Sequence, residues 1–348
     1  MKIEKGKIKR ILCIKLRGIG DVILSTVVFD NLLKEFPLAK IDYLTEPPGK
    51  TALENLSFIN EILIYNKEET FAGVKTIAKV FFNKYDLVLD FYSNPRTAAI
   101  TCFSGAKYRA GFPYRGRTYA YNLLGPAERN KFHAAQLHIE FLNSIGIKTE
   151  SSNLHFGLDK KEIAFAQDFF DKNFSVNDFV VVLSPSGGWD SKKCDASKFA
   201  EIGDTLYETY HAKFLIVWGP EDYHDALAIQ KIMKHPSLLA PNTTIREGAA
   251  LMRVAKLVIA NDSGPMHIST AIGTPTLSLH GPTDPNLQGP FGDKHAWIRL
   301  EELDCIGCNL LICPRKHECF LNLPTEKIIE KVAQLILKND ILVHHEKI

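Results

Sequence analysis

The sequence predicts an α/β chain built as two Rossmann-like, doubly wound domains. Three observations lead there. The chain has 348 residues, enough to bury two cores of ordinary domain size. Short apolar runs alternate with segments of helical periodicity along the chain, the pattern of parallel strands covered by helices on both faces. Those runs fall into two sets, separated by a polar stretch and one amphipathic helix within residues 146–178.

KRILCIKL (9–16) is the first strand, an apolar run opened by two basic residues. DVILSTVVFDNLLKEF (21–36) follows with apolar positions three and four apart, which predicts one long helix. KIDYLTE (40–46), EILIYN (61–66), DLVLDFY (86–92) and YRAGF (108–112) continue the first set, each short and rich in aliphatic or aromatic residues. The second set comprises FVVVLSPSG (179–187), AKFLIVWG (212–219), LVIAND (257–262) and TPTLSLHG (274–281). TEKIIEKVAQLILKN (325–339) is a closing amphipathic helix, and His344 and His345 belong to a tail beyond it. The expected boundaries are 1–160 for the first domain, 175–322 for the second and 323–348 for the closing helix and tail.

Formal net charge is only +2, yet it is divided unevenly. Residues 1–150 carry 22 Lys and Arg against 15 Asp and Glu, whereas the remainder carries 20 against 25. Within residues 91–134, Arg96, Lys107, Arg109, Arg115, Arg117, Arg129 and Lys131 are opposed only by Glu128. Such a patch suits a phosphorylated glycolipid, an anionic membrane surface, a nucleic acid, or simply a solvated face. FPYRGRTYAYNLLG (112–125) interleaves basic and aromatic residues, which counts mildly toward nucleic acid. No apolar run reaches the roughly 18 residues of a membrane span, and the first residues lack the apolar core of a signal peptide, so a cytoplasmic protein is expected. Of seven cysteines, Cys305, Cys308, Cys313 and Cys319 cluster. Their spacing leaves structural zinc, reduced thiols and disulfides open.

In doubly wound sheets ligands bind beyond the carboxyl ends of the strands, so the strand-to-helix loops carry the chemistry. The first loop, KLRGIGDVILS, has Gly18 and Gly20, but Ile23 stands where a dinucleotide fingerprint requires a third glycine, and the GK[ST] of a phosphate-binding nucleotidase is missing. Asp21 at the mouth of the helix, near Lys15 and Arg17, is either a helix cap or a general base. The second loop, SPSGGWDSKKCDASKF (184–199), offers the hydroxyls of Ser184 and Ser186, the amides of Gly187 and Gly188, and the charges of Lys192 and Lys193, all suited to phosphate. The third presents Glu221 just before a helix. The fourth joins LVIAND to a helix through Asp262, Ser263, Gly264 and Pro265, with His267 one turn in; free amides at that helix start favour a diphosphate.

In order and spacing, NDSGPMHISTAIGTPTLSLHGPTDP (261–285) closely resembles the donor-site signature of the ADP-heptose:lipopolysaccharide heptosyltransferases. The resemblance implies the GT-B type glycosyltransferase fold, two Rossmann-like domains facing a central cleft, with the closing helix crossing back to the first domain. It implies transfer of heptose from ADP-L-glycero-D-manno-heptose to the lipopolysaccharide inner core with inversion at the anomeric carbon. Asp21 then corresponds to the proposed catalytic base, beside Lys15, and Lys192 to the lysine that stabilises the departing diphosphate. Ser184, Ser186, Gly187, Glu221, Asp262, Ser263, Gly264 and His267 fall among the donor contacts. Thr243 falls where the family places a residue against the adenine. Cys194 and Asp195 depart from the family's usual Trp-Pro pair, which leaves Lys193 as a second candidate for part of the role of Lys192. Lys15, Arg17, Arg96, Lys107 and Arg109 are the acceptor-side candidates, the last three from charge and position.

The implied partners are a nucleotide-sugar donor and an anionic lipid A/inner-core acceptor at the inner leaflet of the inner membrane, with which a monomeric cytoplasmic enzyme associates peripherally. No nucleic acid and no essential metal are expected, since no acidic pair stands out as a metal clamp. Two other classes stay open: a related glycosyltransferase using another nucleotide sugar, and a noncatalytic nucleotide- or nucleic-acid-binding module.

Overall fold

The computed structural model describes residues 1–342, so His344 and His345 lie outside the described residues. The chain divides after Gly157 into two compact units. The first holds a parallel sheet of β1 (Arg10–Ile14), β2 (Lys40–Thr45), β3 (Ile59–Ile64), β4 (Leu87–Asp90), β5 (Tyr108–Gly111) and β6 (Leu123–Leu124), in spatial order β3-β2-β1-β4-β5-β6. The second holds β7 (Val180–Ser184), β8 (Lys213–Ile216), β9 (Ser237–Leu239), β10 (Leu257–Asn261), β11 (Thr276–Leu279) and β12 (Ala296–Ile298), in order β12-β11-β10-β7-β8-β9 and again parallel. Counted within each unit, the two orders are the same. The order in which strands are added reverses between β1 and β4 in the first sheet and between β7 and β10 in the second, the switch points at which such sheets open a crevice.

Central strands are apolar on both faces because helices cover both. In β7, Val181 and Leu183 pack with Phe199, Ile202 and Leu206 of the helix Ala196–Tyr210. Val180 and Val182 point the other way, toward Phe170 of the helix Lys160–Asn173 and Leu251 of the helix Ile245–Val254. Those two helices are further joined by Arg246, whose Nη2 donates to Glu162 Oε2 at 2.9 Å. All nine strand-forming runs of the sequence contain strands. The three that sequence reading missed, β6, β9 and β12, are two or three residues long and lie at sheet edges, too short and too exposed for an apolar run to mark them.

One expectation is corrected. Residues 21–36 do not form one helix: Ile19–Ser25 and Phe29–Glu35 are separated by a 3-10 turn at Thr26–Val28. Ser25 Oγ and Thr26 Oγ1 turn back onto the carbonyls of Val22 and Ile23 at 2.7 and 2.6 Å, and β-branched residues follow, both unfavourable to a continuous helix. The closing helix, Thr325–Lys338, uses its apolar stripe inside the second unit: Ile328, Val332, Leu335 and Ile336 join the cluster of Phe199, Leu206, Leu277 and Leu279. No described helix is long and apolar enough to cross a membrane.

Candidate active site

At the second switch point, β7 and β10 end side by side, with Ser184 paired to Ala260. Asn261 ties the two exits together, donating to Pro185 O at 2.8 Å and accepting from the Cys194 amide at 3.2 Å. Asp262 follows, 3 % exposed, and its Oδ2 meets Lys192 Nζ at 2.7 Å. Thr283 Oγ1, from the loop after β11, donates to the same oxygen at 2.6 Å. Lys192 sits on a 3-10 turn, Asp190–Lys192, with its ammonium 4.1 Å from the centre of the Trp189 ring. Burial opposes ionisation of Asp262, but the neighbouring His280, Lys192 and Thr283 outweigh it and hold the carboxyl below the ordinary range. Beside this pair the helix Gly264–Ala271 begins at Ser263 without a side-chain cap, so its first amides remain available. The hydroxyls of Ser184 and Ser186 and the indole N–H of Trp189 are buried without a hydrogen-bond partner. Buried polar groups left open in this way are the chemistry of a site awaiting a polar ligand.

At the first switch point, β1 leads through Lys15 into a turn where Arg17 and Gly18 both take positive φ, 51° and 69°. That turn brings Asp21, in the first turn of the helix Ile19–Ser25, back to Lys15, with Nζ 3.2 Å from Oδ1. Lys15 is 5 % exposed at its side chain while Asp21 is 53 % exposed, so the carboxylate is held by a buried cation yet open to an incoming group. Lys15 also lies 5.6 Å from the ring centre of Tyr92, just beyond β4. The Arg129 guanidinium stacks over Phe112 and Tyr114 at 4.5 and 5.2 Å; burial lowers its pKa while the charge of Asp21 opposes that. His138 is buried behind this cluster, and desolvation, reinforced by Lys15, Arg129 and His133, pushes its pKa well below the ordinary value, leaving it neutral.

Residues 74–317 match the family model described as glycosyltransferase family 9 (heptosyltransferase). The chain belongs to glycosyltransferase family 9. Among the relatives of this family 9 glycosyltransferase, the lipopolysaccharide core heptosyltransferase OpsX of Haemophilus influenzae is 25% identical over 302 residues, 84% of each chain. A solved family 9 glycosyltransferase of Veillonella parvula superposes with a TM-score of 0.83 at 24% identity, covering 95% of this chain and 97% of that one. The E. coli heptosyltransferase WaaC, solved with ADP-2-deoxy-2-fluoro heptose, superposes with a TM-score of 0.70 at 17% identity, covering 93% and 99%. The chain thus has the two-domain fold of these enzymes, and the noncatalytic reading falls away.

Within the family 9 enzyme, Lys192, Asp262, Ser263, Gly264, Ser184 and Ser186 converge on the second switch point, and Lys15 and Asp21 on the first. His267 is buried within its helix, 8 % exposed, and Gly187 is backed by the Lys193 side chain. Lys193 does not share the place of Lys192: it bridges Asp222 and Asp225 at 2.8 and 2.7 Å, pinning the loop to the helix Tyr223–Ile232. Glu221 is exposed in the turn before that helix, and Thr243 directly precedes Thr244, which caps the helix Ile245–Val254. The four acceptor-side candidates other than Lys15 take different places. Lys107 lies at the amino end of β5, the opposite edge from the loops, and pairs with Glu4. Arg109 has its guanidinium on the carbonyls of Ala120 and Ala106, at 3.1 and 2.8 Å, a structural clamp. Arg96 is exposed at the start of the helix Pro95–Cys102, and Arg17 is exposed in its turn.

Asn261, His280, Thr283 and Trp189 were not singled out from sequence, although the first three stand in the donor-like signature itself. Their importance is burial around Asp262, which no spacing rule reveals. The cysteines of the 305–319 cluster are free thiols, and among the described residues no His, Cys, Asp or Glu group is arranged to hold a metal ion.

His280 is expected to make this enzyme acid-sensitive. Burial is the main cause that lowers its pKa from 6.5 to about 4, and Asp262 opposes it. Between those values the unfolded chain binds a proton that the folded ring rejects, so stability falls as pH drops below 6.5, by about 2 kcal/mol at pH 5 from this residue. Thermal melts of wild type and His280→Asn at pH 7 and pH 5 check this. The variant should lose less stability on acidification; an equal loss excludes His280 as a source.

Proposed function

We propose that this enzyme transfers heptose from ADP-L-glycero-D-manno-heptose to the inner core of lipopolysaccharide, inverting the anomeric carbon. The observation that carries the reading is the set of open, buried donors around Lys192: the Ser184 and Ser186 hydroxyls and the uncapped helix start at Ser263, a cradle for a diphosphate. The solved WaaC complex, with an ADP-linked sugar, supports an ADP-heptose donor, and the lipopolysaccharide core enzyme of Haemophilus supports the acceptor class.

In this mechanism Asp21 accepts the proton of the acceptor hydroxyl as its oxygen bonds to the anomeric carbon. Attack comes from the face opposite the diphosphate, and the bond from that carbon to the diphosphate oxygen breaks as the new one forms. The departing ADP gains negative charge. Lys192 has N–H groups beyond the one on Asp262 to offer it, and the first amides of the helix Gly264–Ala271 add the positive end of the helix dipole. Asp262, by fixing Lys192, keeps that charge in place before the donor arrives. The surplus of positive charge in residues 1–150 supports peripheral association with an anionic inner leaflet that carries the acceptor.

The test is release of ADP from ADP-heptose by the purified enzyme, with and without inner-core acceptor, beside a panel of other nucleotide sugars. Release that requires both ADP-heptose and the acceptor is the expected result. Acceptor-dependent release from a different donor in the panel overturns the sugar assignment.

A further inference from the structure

Residues 301–321 carry the four-cysteine cluster and take no part in the reaction above, yet they lace together two loops of the donor crevice. On one side Gly307 N–H donates to Gly281 O at 3.1 Å and Asn309 N–H to Pro282 O at 2.8 Å, holding the loop that supplies Thr283. On the other side the strap meets the turn that bears Lys192. Ser191 N–H donates to Leu311 O at 3.2 Å, Ser191 Oγ donates to Leu310 O, and Cys313 N–H donates to Asp190 Oδ2 at 3.3 Å. His317 closes the arrangement. Its Nε2 lies 3.2 Å from Asp190 Oδ2 and its Nδ1 3.4 Å from Asp195 Oδ2, so one ring spans the carboxylates on either side of Lys192 and Lys193.

This placement is built rather than incidental. Lys316 and His317 both hold positive φ, 50° and 55°, a conformation that non-glycine residues keep only where surroundings impose it. The His317 amide donates to Cys313 Sγ at 3.3 Å, which fixes the turn, and the imidazole is largely buried. The Cys313 amide and His317 together hold the Asp190 carboxyl below the ordinary range despite some desolvation.

We propose that His317 is a positioning residue for donor binding: by its hydrogen bond to Asp190, with Asp195 beside its other ring nitrogen, it fixes the Asp190–Lys192 turn and so aims the Lys192 ammonium into the crevice beside Asp262. The role rests on the reading that Lys192 engages the donor diphosphate. It acts through Lys192 and requires no contact of His317 with the sugar nucleotide.

The experiment is a double-mutant cycle on the intact protein, with ADP as the probe. Calorimetric dissociation constants are measured for wild type, His317→Ala, Lys192→Ala and the double variant, with His317→Gln as the conservative control. His317→Ala should weaken ADP about tenfold, the scale of one hydrogen bond to a charged group. In the Lys192→Ala background the same change should leave affinity unaltered, and His317→Gln, which still donates to Asp190, should recover most of the loss. An equal loss in both backgrounds overturns the proposal in favour of general loosening.

A second readout needs no ligand. Lys192 sits over Trp189, so the Trp189 indole 1H–15N signal, assigned with Trp189→Phe, should move in His317→Ala in the direction it takes in Lys192→Ala. An unmoved signal overturns the proposal. Wild type that fails to bind ADP refutes the donor reading, while the indole signal still decides the positioning role. If His317→Ala does not fold, Asp190→Ala breaks the same bridge from its other end and completes both measurements.

Discussion

Lys192→Met is expected to lower kcat by about a hundredfold or more and to destabilise the fold by about 3 kcal/mol. The pair it breaks is nearly sealed, with 8 % and 3 % of the Lys192 and Asp262 side chains exposed and 2.7 Å between them. Without the ammonium, Asp262 is a buried carboxylate left with only His280 and Thr283 against desolvation, so its pKa should rise from its depressed wild-type position. In wild type the depressed carboxyl contributes stability that is full above its unfolded pKa and lost as pH falls through the folded one. In the variant that pH-dependent contribution should be smaller. Lys192→Met/Asp262→Asn should restore most of the stability and none of the activity. Chemical denaturation across pH, with initial rates of ADP release, measures both. A single variant with wild-type kcat excludes Lys192 from the transition state.

Asp21→Asn is expected to lower kcat by about 10² to 10⁴, the range for removing a positioned general base, with ADP affinity unchanged. The substitution keeps the size of the side chain and an oxygen for Lys15, and the carboxylate is 53 % exposed, so stability should stay within about 0.5 kcal/mol of wild type. Loss of kcat together with the fold points to a helix-terminal role for Asp21. Retained kcat with acceptor present assigns the base to another residue.

Much of this molecule was legible without coordinates. Nine strand-forming runs, the switch-point loops and the ANDSGPMH segment stand out because parallel strands buried on both faces must be continuously apolar, and because glycine, proline and short polar residues mark where the chain leaves them. Lys192, Asp262 and Asp21 are candidates on that ground and on the resemblance to the heptosyltransferases, and the structure places Lys192 against Asp262 and Asp21 against Lys15. The contacts of Lys107 with Glu4 and of Arg109 with the carbonyls of Ala120 and Ala106 were not legible, because charge in a sequence does not say which end of a strand it occupies or what carbonyl it meets. The periodicity of residues 21–36 reads as one helix, where the hydroxyls of Ser25 and Thr26 compete with the helical hydrogen bonds.

The sequence by itself determined the class of fold, the loops in which chemistry gathers and the family, since all three depend on local pattern and spacing. The tertiary structure alone decided that Lys192 and not Lys193 reaches Asp262, that Thr283 and His280 surround that carboxylate, and that a strap from residues 301–321 steadies the turn beneath it. These are outcomes of burial and of contacts across 21 to 127 positions of chain, as between Thr283 and Asp262 or His317 and Asp190. A titratable group's partner is chosen by which neighbours share its low-dielectric surroundings, and only the folded chain brings them together.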